Sequence, residues 1–143
     1  MKALVIAAGG GIGDVLLATP VMRALRTRYE TVVALTAPGH REVLAANPDL
    51  ADVWVDEGPF PALAARIARA RFDAAVVTPD SGAAHLAGMA GVPCVDLFEP
   101  SPHVAYDVLR WRPWAAPCRT LVLGPDPAAG AAAVMQALCE LRA

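Results

Sequence analysis

The chain has 143 residues, 56% of them hydrophobic and 18% charged, with a formal net charge of -2 and a pI near 5.8. That is enough for one domain with its own core and short for two, and the mildly acidic balance argues against a general nucleic-acid binder. Three widely spaced cysteines, Cys94, Cys118 and Cys139, form no CxxC or Cys/His cluster, so neither a zinc site nor a disulfide framework is indicated.

A reducing cytoplasm is the expected setting. No apolar stretch approaches the roughly 20 residues of a membrane span. The basic residues are almost all arginine, which, beside so much alanine, fits codon bias.

In chain order, Lys2 to Ala7 is a continuous apolar run, the pattern of a strand buried on both faces. It leads into a glycine loop, so it reads as a first strand rather than a signal peptide. Val15 to Arg28 has helical spacing, with Val15, Leu17, Val21, Met22 and Leu25 available to the core and Arg23, Arg26 and Arg28 for solvent. Thr19-Pro20 inside it reads as an N-cap and a first helical position, where the helix kinks or restarts. Thr31 to Thr36 is a second strand, and Gly39 to Ala46 a short helix stopped before Pro48.

Asp52 to Asp56 is a third strand, with Trp54 expected in the core. Pro61 to Ala70 is a helix with Arg66, Arg69 and Arg71 on its solvated face. Asp73 to Thr78 is strand four, Gly82 to Ala90 a helix, and Cys94 to Phe98 strand five. Glu99 to Pro117 reads as irregular, Thr120 to Leu123 as a last strand, and Pro127 to Leu141 as a closing helix.

This alternation predicts one α/β domain over residues 1–143. The expected fold is Rossmann-like and doubly wound, with a mostly parallel sheet of five to six strands. Right-handed crossovers make the strand order 3-2-1-4-5 the expectation. Strands one and four are then neighbours at the switch point where open α/β sheets bind ligands.

Two loops would line that crevice. The first is GGGIGD, residues 9–14, and the second TPDSGAAH, residues 78–85. Gly82 would open a helix whose first N–H groups lack partners and whose dipole favours an anion, so a phosphate or diphosphate is the natural guest. Ser81 adds a hydroxyl, and His85, one turn in, would lean back toward that guest. Asp14, Asp80 and Ser81 also have a purely structural reading as helix caps, and His85 one as a satisfied histidine. GGGIGD is not a dinucleotide fingerprint, because aspartate stands where the third glycine belongs.

Three stretches, GIGDVLLATPVMRALRTRY, NPDLADVWVD and PDSGAAHLAGMAGVPCVDLFEPSP, resemble in order the lipopolysaccharide heptosyltransferases of glycosyltransferase family 9. The resemblance implies a compacted GT-B enzyme: both motif loops retained, on one sheet instead of two facing domains. It implies that Asp14 of Gly11-Ile12-Gly13-Asp14 is a general base. It also implies that Asp80, Ser81, Gly82 and His85 hold the diphosphate and sugar of a nucleotide-diphospho-sugar donor such as ADP-heptose. No cofactor or metal is called for. The partners implied are that donor, a glycan or lipopolysaccharide-type acceptor, and a second copy of the chain that would rebuild the cleft.

A non-catalytic module binding a nucleotide or phosphate is the alternative. Arg110-Trp111-Arg112-Pro113-Trp114, with His103 and Tyr106, reads either as a stacking platform or as a cover for a sheet edge or dimer contact. His40 and Arg41 follow strand two on the ligand side and are weak acceptor-site candidates.

Overall fold

The apolar runs of the sequence become the centre of one sheet. The computed structural model describes residues 1–78, 84–112 and 116–142. Strand β1 (Lys2–Ala7) is followed by helices α1 (Ile12–Leu17) and α2 (Thr19–Leu25), then β2 (Thr31–Thr36). Next come a 3-10 turn over Pro38–His40, α3 (Arg41–Leu44), β3 (Asp52–Val55), α4 (Phe60–Ala70) and β4 (Ala74–Val77). Helix α5 (Ala84–Met89), β5 (Cys94–Phe98), α6 (Val104–Trp111), β6 (Cys118–Val122) and α7 (Pro127–Glu140) complete the order.

The six strands run in the order β3-β2-β1-β4-β5-β6, every neighbouring pair parallel. The expected order is therefore present, with β6 added outside β5. β1 is hydrogen-bonded to β2 in the register Lys2 with Thr31 and to β4 in the register Ala3 with Ala74.

Alternation along each strand divides the core in two. On one face Ala3, Val5 and Ala7 meet Val15 of α1, Val21, Met22 and Leu25 of α2, Leu44 of α3, and Val134, Ala137 and Leu138 of α7. On the other, Leu4 and Ile6 meet Leu63, Ala64 and Ile67 of α4 and Ala84, Leu86 and Ala87 of α5. Burial on both faces is why β1 and β4 carry almost nothing but Ala, Val, Leu and Ile.

Several local expectations change. The first helix starts at Ile12 and breaks at Ala18, which caps α2; Thr19 is already helical and Pro20 occupies the first turn, where its missing N–H is harmless. The Thr19 hydroxyl turns back to donate to the Leu16 carbonyl at 2.8 Å. Leu17 points to solvent, 69% exposed, and not into the core, because two residues along α1 carry it about 200° round the helix from buried Val15.

Trp54 is half-buried near the sheet edge. Its ring packs edge-on against Phe72 at 5.5 Å, and the Arg66 guanidinium stacks on it at 3.8 Å. Arg66 is therefore not simply a solvated residue. Arg71 ends α4 in the left-handed region at φ 53°. The segment expected to be irregular contains α6, whose half-buried Val104, Asp107 and Val108 follow the i, i+3, i+4 spacing of an amphipathic helix. Strand β6 begins two residues earlier than expected.

The contrast in burial gives a direct test. Met22→Ala should cost about 2–5 kcal/mol, because Met22 is fully enclosed between α2 and the sheet. Leu17→Ala should stay within about 0.5 kcal/mol. Urea unfolding of both variants measures the contrast.

Candidate functional site

All six strands are parallel, so the loops that follow them leave from one rim of the sheet. The loop after β1 turns to the face carrying α1, and the chain after β4 reaches α5 on the opposite face. β1 and β4 are direct neighbours, so a crevice opens between these exits, as at the switch point of doubly wound sheets.

A cleft of about 400 Å³ lies at this rim. Gly9, Gly10 and Asp14 line it from the β1 side, and Phe98, Glu99, Ser101 and Asp107 from the end of β5 and from α6. β4 lies between the two contributing strands. The described wall holds three carboxylates, one hydroxyl and no basic side chain.

Asp14 is held by its own loop. Its Oδ2 accepts a hydrogen bond from the Gly11 N–H at 2.6 Å, and its N–H donates to the Gly11 carbonyl at 3.1 Å. This reciprocal pair closes the N-terminus of α1 and leaves the carboxylate at the cleft wall. The loop must come very close to achieve it. A Cβ on Gly10 would fall 2.7 Å from Asp14 Cγ and 2.8 Å from Asp14 Cβ, distances that side chains do not tolerate. Gly13 differs, because a Cβ there would meet nothing within 4 Å. Gly10 is thus needed to seat Asp14, whereas packing places no demand on Gly13.

Asp80, Ser81 and Gly82 lie outside the described residues. His85 is half-buried in α5, one residue after its first described position. It is not among the described residues that line the cleft with Asp14. His40 and Arg41 are not there either. Arg41 lines a separate depression beyond β2 with Asp52, Trp54, Glu57 and Arg66. Arg110 lies over the Trp111 ring at 4.7 Å on exposed α6, while Pro113 and Trp114 lie outside the described residues.

Sequence reasoning missed the far wall of the cleft. Ser101 and Asp107 are linked by a 3.5 Å hydrogen bond from the serine hydroxyl, and the His103 N–H donates to Ser101 Oγ at 3.2 Å. The signal was the i, i+3, i+4 repeat of Val104, Asp107 and Val108, obscured by flanking prolines and tryptophans. Asp96 was missed as well. It is completely buried in β5, level with Val77, and its only signal was one acidic residue in the apolar run CVDLF. Among the described residues, no group of three or more His, Cys, Asp or Glu is arranged to hold a metal ion. No helix is long and apolar enough to cross a membrane among the described residues.

No family model and no curated protein matches the chain. Solved structures do. ADP-heptose lipopolysaccharide heptosyltransferase II of E. coli aligns over 79% of this chain and 41% of its own, at 21% identity and a TM-score of 0.60. A glycosyl transferase family 9 protein of Veillonella parvula DSM 2008 aligns over 96% of this chain and 41% of its own, at 19% identity and 0.66. E. coli heptosyltransferase WaaC with ADP aligns over 96% and 47%, at 12% identity and 0.67.

The chain is therefore a single α/β domain with the Rossmann-like fold found in glycosyltransferases, and it spans less than half the length of these structures.

The two glycines give the second test. Gly10→Ala should destabilise by about 1–3 kcal/mol through overlap with Asp14. Gly13→Ala, in α1 with open space around it, should be neutral or stabilising by up to about 1 kcal/mol. Thermal and urea unfolding of the two variants compare them directly.

Proposed function

We propose that this chain binds a nucleotide-diphospho-sugar and belongs, by descent, with the heptosyltransferases of glycosyltransferase family 9. The observation that carries this reading is the setting of Asp14. A carboxylate is seated at the wall of an open cleft, on the loop of the strand paired with β4. The sequence after β4 is Asp80-Ser81-Gly82-Ala83-Ala84-His85, the second half of the family pattern. The solved structure of one neighbour contains ADP.

In this reading, Asp14 takes the proton of an acceptor hydroxyl as that oxygen attacks the anomeric carbon of the donor. The bond from that carbon to the nucleoside diphosphate breaks, and the leaving group carries the charge away. Ser81 and His85, from the sequence that follows β4, stabilise that charge. The acidic wall formed by Asp14, Glu99 and Asp107 suits hydroxyl groups, which donate hydrogen bonds, and repels phosphate. Acceptor or sugar hydroxyls therefore belong on this wall and the diphosphate on the β4 side.

A second reading has one observation in its favour. Ile12 and Leu16, one helical turn apart on α1 and flanking Asp14, are each 52% exposed. A partner or second copy covering them would make this chain a binding module that supplies one wall of a shared site.

Calorimetric titration with ADP, UDP, GDP and ADP-heptose separates the readings. The enzyme reading expects ADP-selective binding, weakened at least tenfold by His85→Ala and little changed by Asp14→Asn. It also expects transfer from ADP-heptose to fall about 10²–10⁴-fold in Asp14→Asn. Binding without transfer by the wild-type protein would leave the module, and no binding of any nucleotide would sink the donor assignment.

A further inference from the structure

β5 and β6 each begin with a cysteine at the same level of the sheet. Cys94 is the Cα partner of Cys118 in the parallel register. Adjacent strands lie about 4.8 Å apart, inside the range of roughly 4.4–6.8 Å over which disulfides join Cα atoms. Both side chains fall on the same face, where they pack with Leu4, Ile6 and Val77. Cys94 is fully buried, and Cys118 is half-buried because β6 is an edge strand.

The two thiols face each other across the β5–β6 pair, and each shifts the other's titration. Contact with Cys118, then burial, pushes the Cys94 thiol up. Contact with Cys94 holds the Cys118 thiol below its ordinary value, against burial and the nearby Asp96 charge, which push it up. Cys118 is the more accessible sulfur, so an external disulfide meets it first.

We propose that Cys94 and Cys118 are a reversible redox pair that closes a disulfide between β5 and β6 when the protein meets a small-molecule disulfide such as oxidised glutathione. The Cys118 thiolate attacks one sulfur of the oxidant, the oxidant's S–S bond breaks, and one small thiolate departs. Cys94 Sγ then attacks the Cys118 sulfur of the mixed disulfide, and its proton passes to the second departing thiolate. Two protein thiols are oxidised, and one oxidant disulfide is reduced to two thiols.

The consequence reaches the cleft. The 25 residues from Cys94 to Cys118 include Phe98, Glu99, Ser101 and Asp107, the whole described wall opposite Asp14. Oxidation ties the two ends of that segment together, restricting the unfolded chain and the wall alike. Cys139, exposed near the end of α7, is the third thiol and serves as an internal reference.

The whole protein, incubated with oxidised glutathione, denatured and alkylated with N-ethylmaleimide, gives the test by intact mass and peptide mapping. The expected result is loss of two of the three alkylatable thiols and one cross-linked peptide pair carrying Cys94 and Cys118. No glutathione should remain on that pair, and dithiothreitol should reverse the reaction. The melting temperature should rise by about 5 °C. C139S should behave identically, and in C118S or C118A the Cys94 thiol should stay free.

A glutathione adduct persisting on Cys118 beside a free Cys94, dimers linked through Cys139 as the only product, or three unchanged thiols would each overturn the pair. The wild-type map decides by itself, so a variant that fails to fold does not blunt the result. The outcome is independent of any nucleotide or sugar binding.

Discussion

The pairing of β4 with β1 is the constraint on which the architecture depends. β2 already occupies one edge of β1, and β3 extends the sheet outward from β2. To return to the free edge of β1, the chain must cross the sheet, and α4 makes that crossing on the face opposite α1 and α2. The helices after β1 and β4 then lie on opposite faces while their strands are hydrogen-bonded neighbours. Asp14 stands on one of these two diverging exits, at the switch point of the sheet.

That constraint was legible because its determinants are local. A strand buried on both faces must be apolar at every position, and KALVIA and AAVV read that way. α7 was legible for the same reason, with Asp126 capping it through the Ala128 N–H at 2.9 Å before a long alanine-rich run. Elements at the rim were harder. α6 buries no residue fully, so its repeat is carried by three half-buried positions and drowned by Trp111 and the prolines around it. Leu17 is apolar but stands about 200° round α1 from buried Val15, so it faces solvent although its hydrophobicity suggests the core. The role of Gly10 was illegible for a different reason. Three consecutive glycines look alike in sequence, and only the fold of the loop distinguishes the one that touches Asp14.

The acidity of the cleft separates two jobs that the motif loops share in the proposed reading. A diphosphate carries charge that Asp14, Glu99 and Asp107 would repel, and a carboxylate wall in a recess open to water attracts neutral polyols through their hydroxyl donors. The motif that follows β4 adds a hydroxyl and an imidazole, Ser81 and His85, beside a carboxylate of its own, Asp80. In the proposed reading the Asp14 carboxylate would take the acceptor proton, and Ser81 and His85 would serve the leaving anion. A sugar transferase needs both within the span of one anomeric centre.

The hydrogen bond from Gly11 to Asp14 bears on whether the carboxylate is a cap or a base, and the two roles are compatible. Capping engages Oδ2 and fixes the orientation of the whole group, because the close approach of Gly10 leaves the side chain little room to turn. A base that must meet an incoming hydroxyl benefits from that immobility, since its oxygen is already aimed when the acceptor arrives. Closing the helix from the N3 position is equally served by glutamate or glutamine, with no need for a glycine pressed against it. The combination of a tight glycine and a carboxylate at a cleft wall goes beyond what closing the six residues of α1 requires.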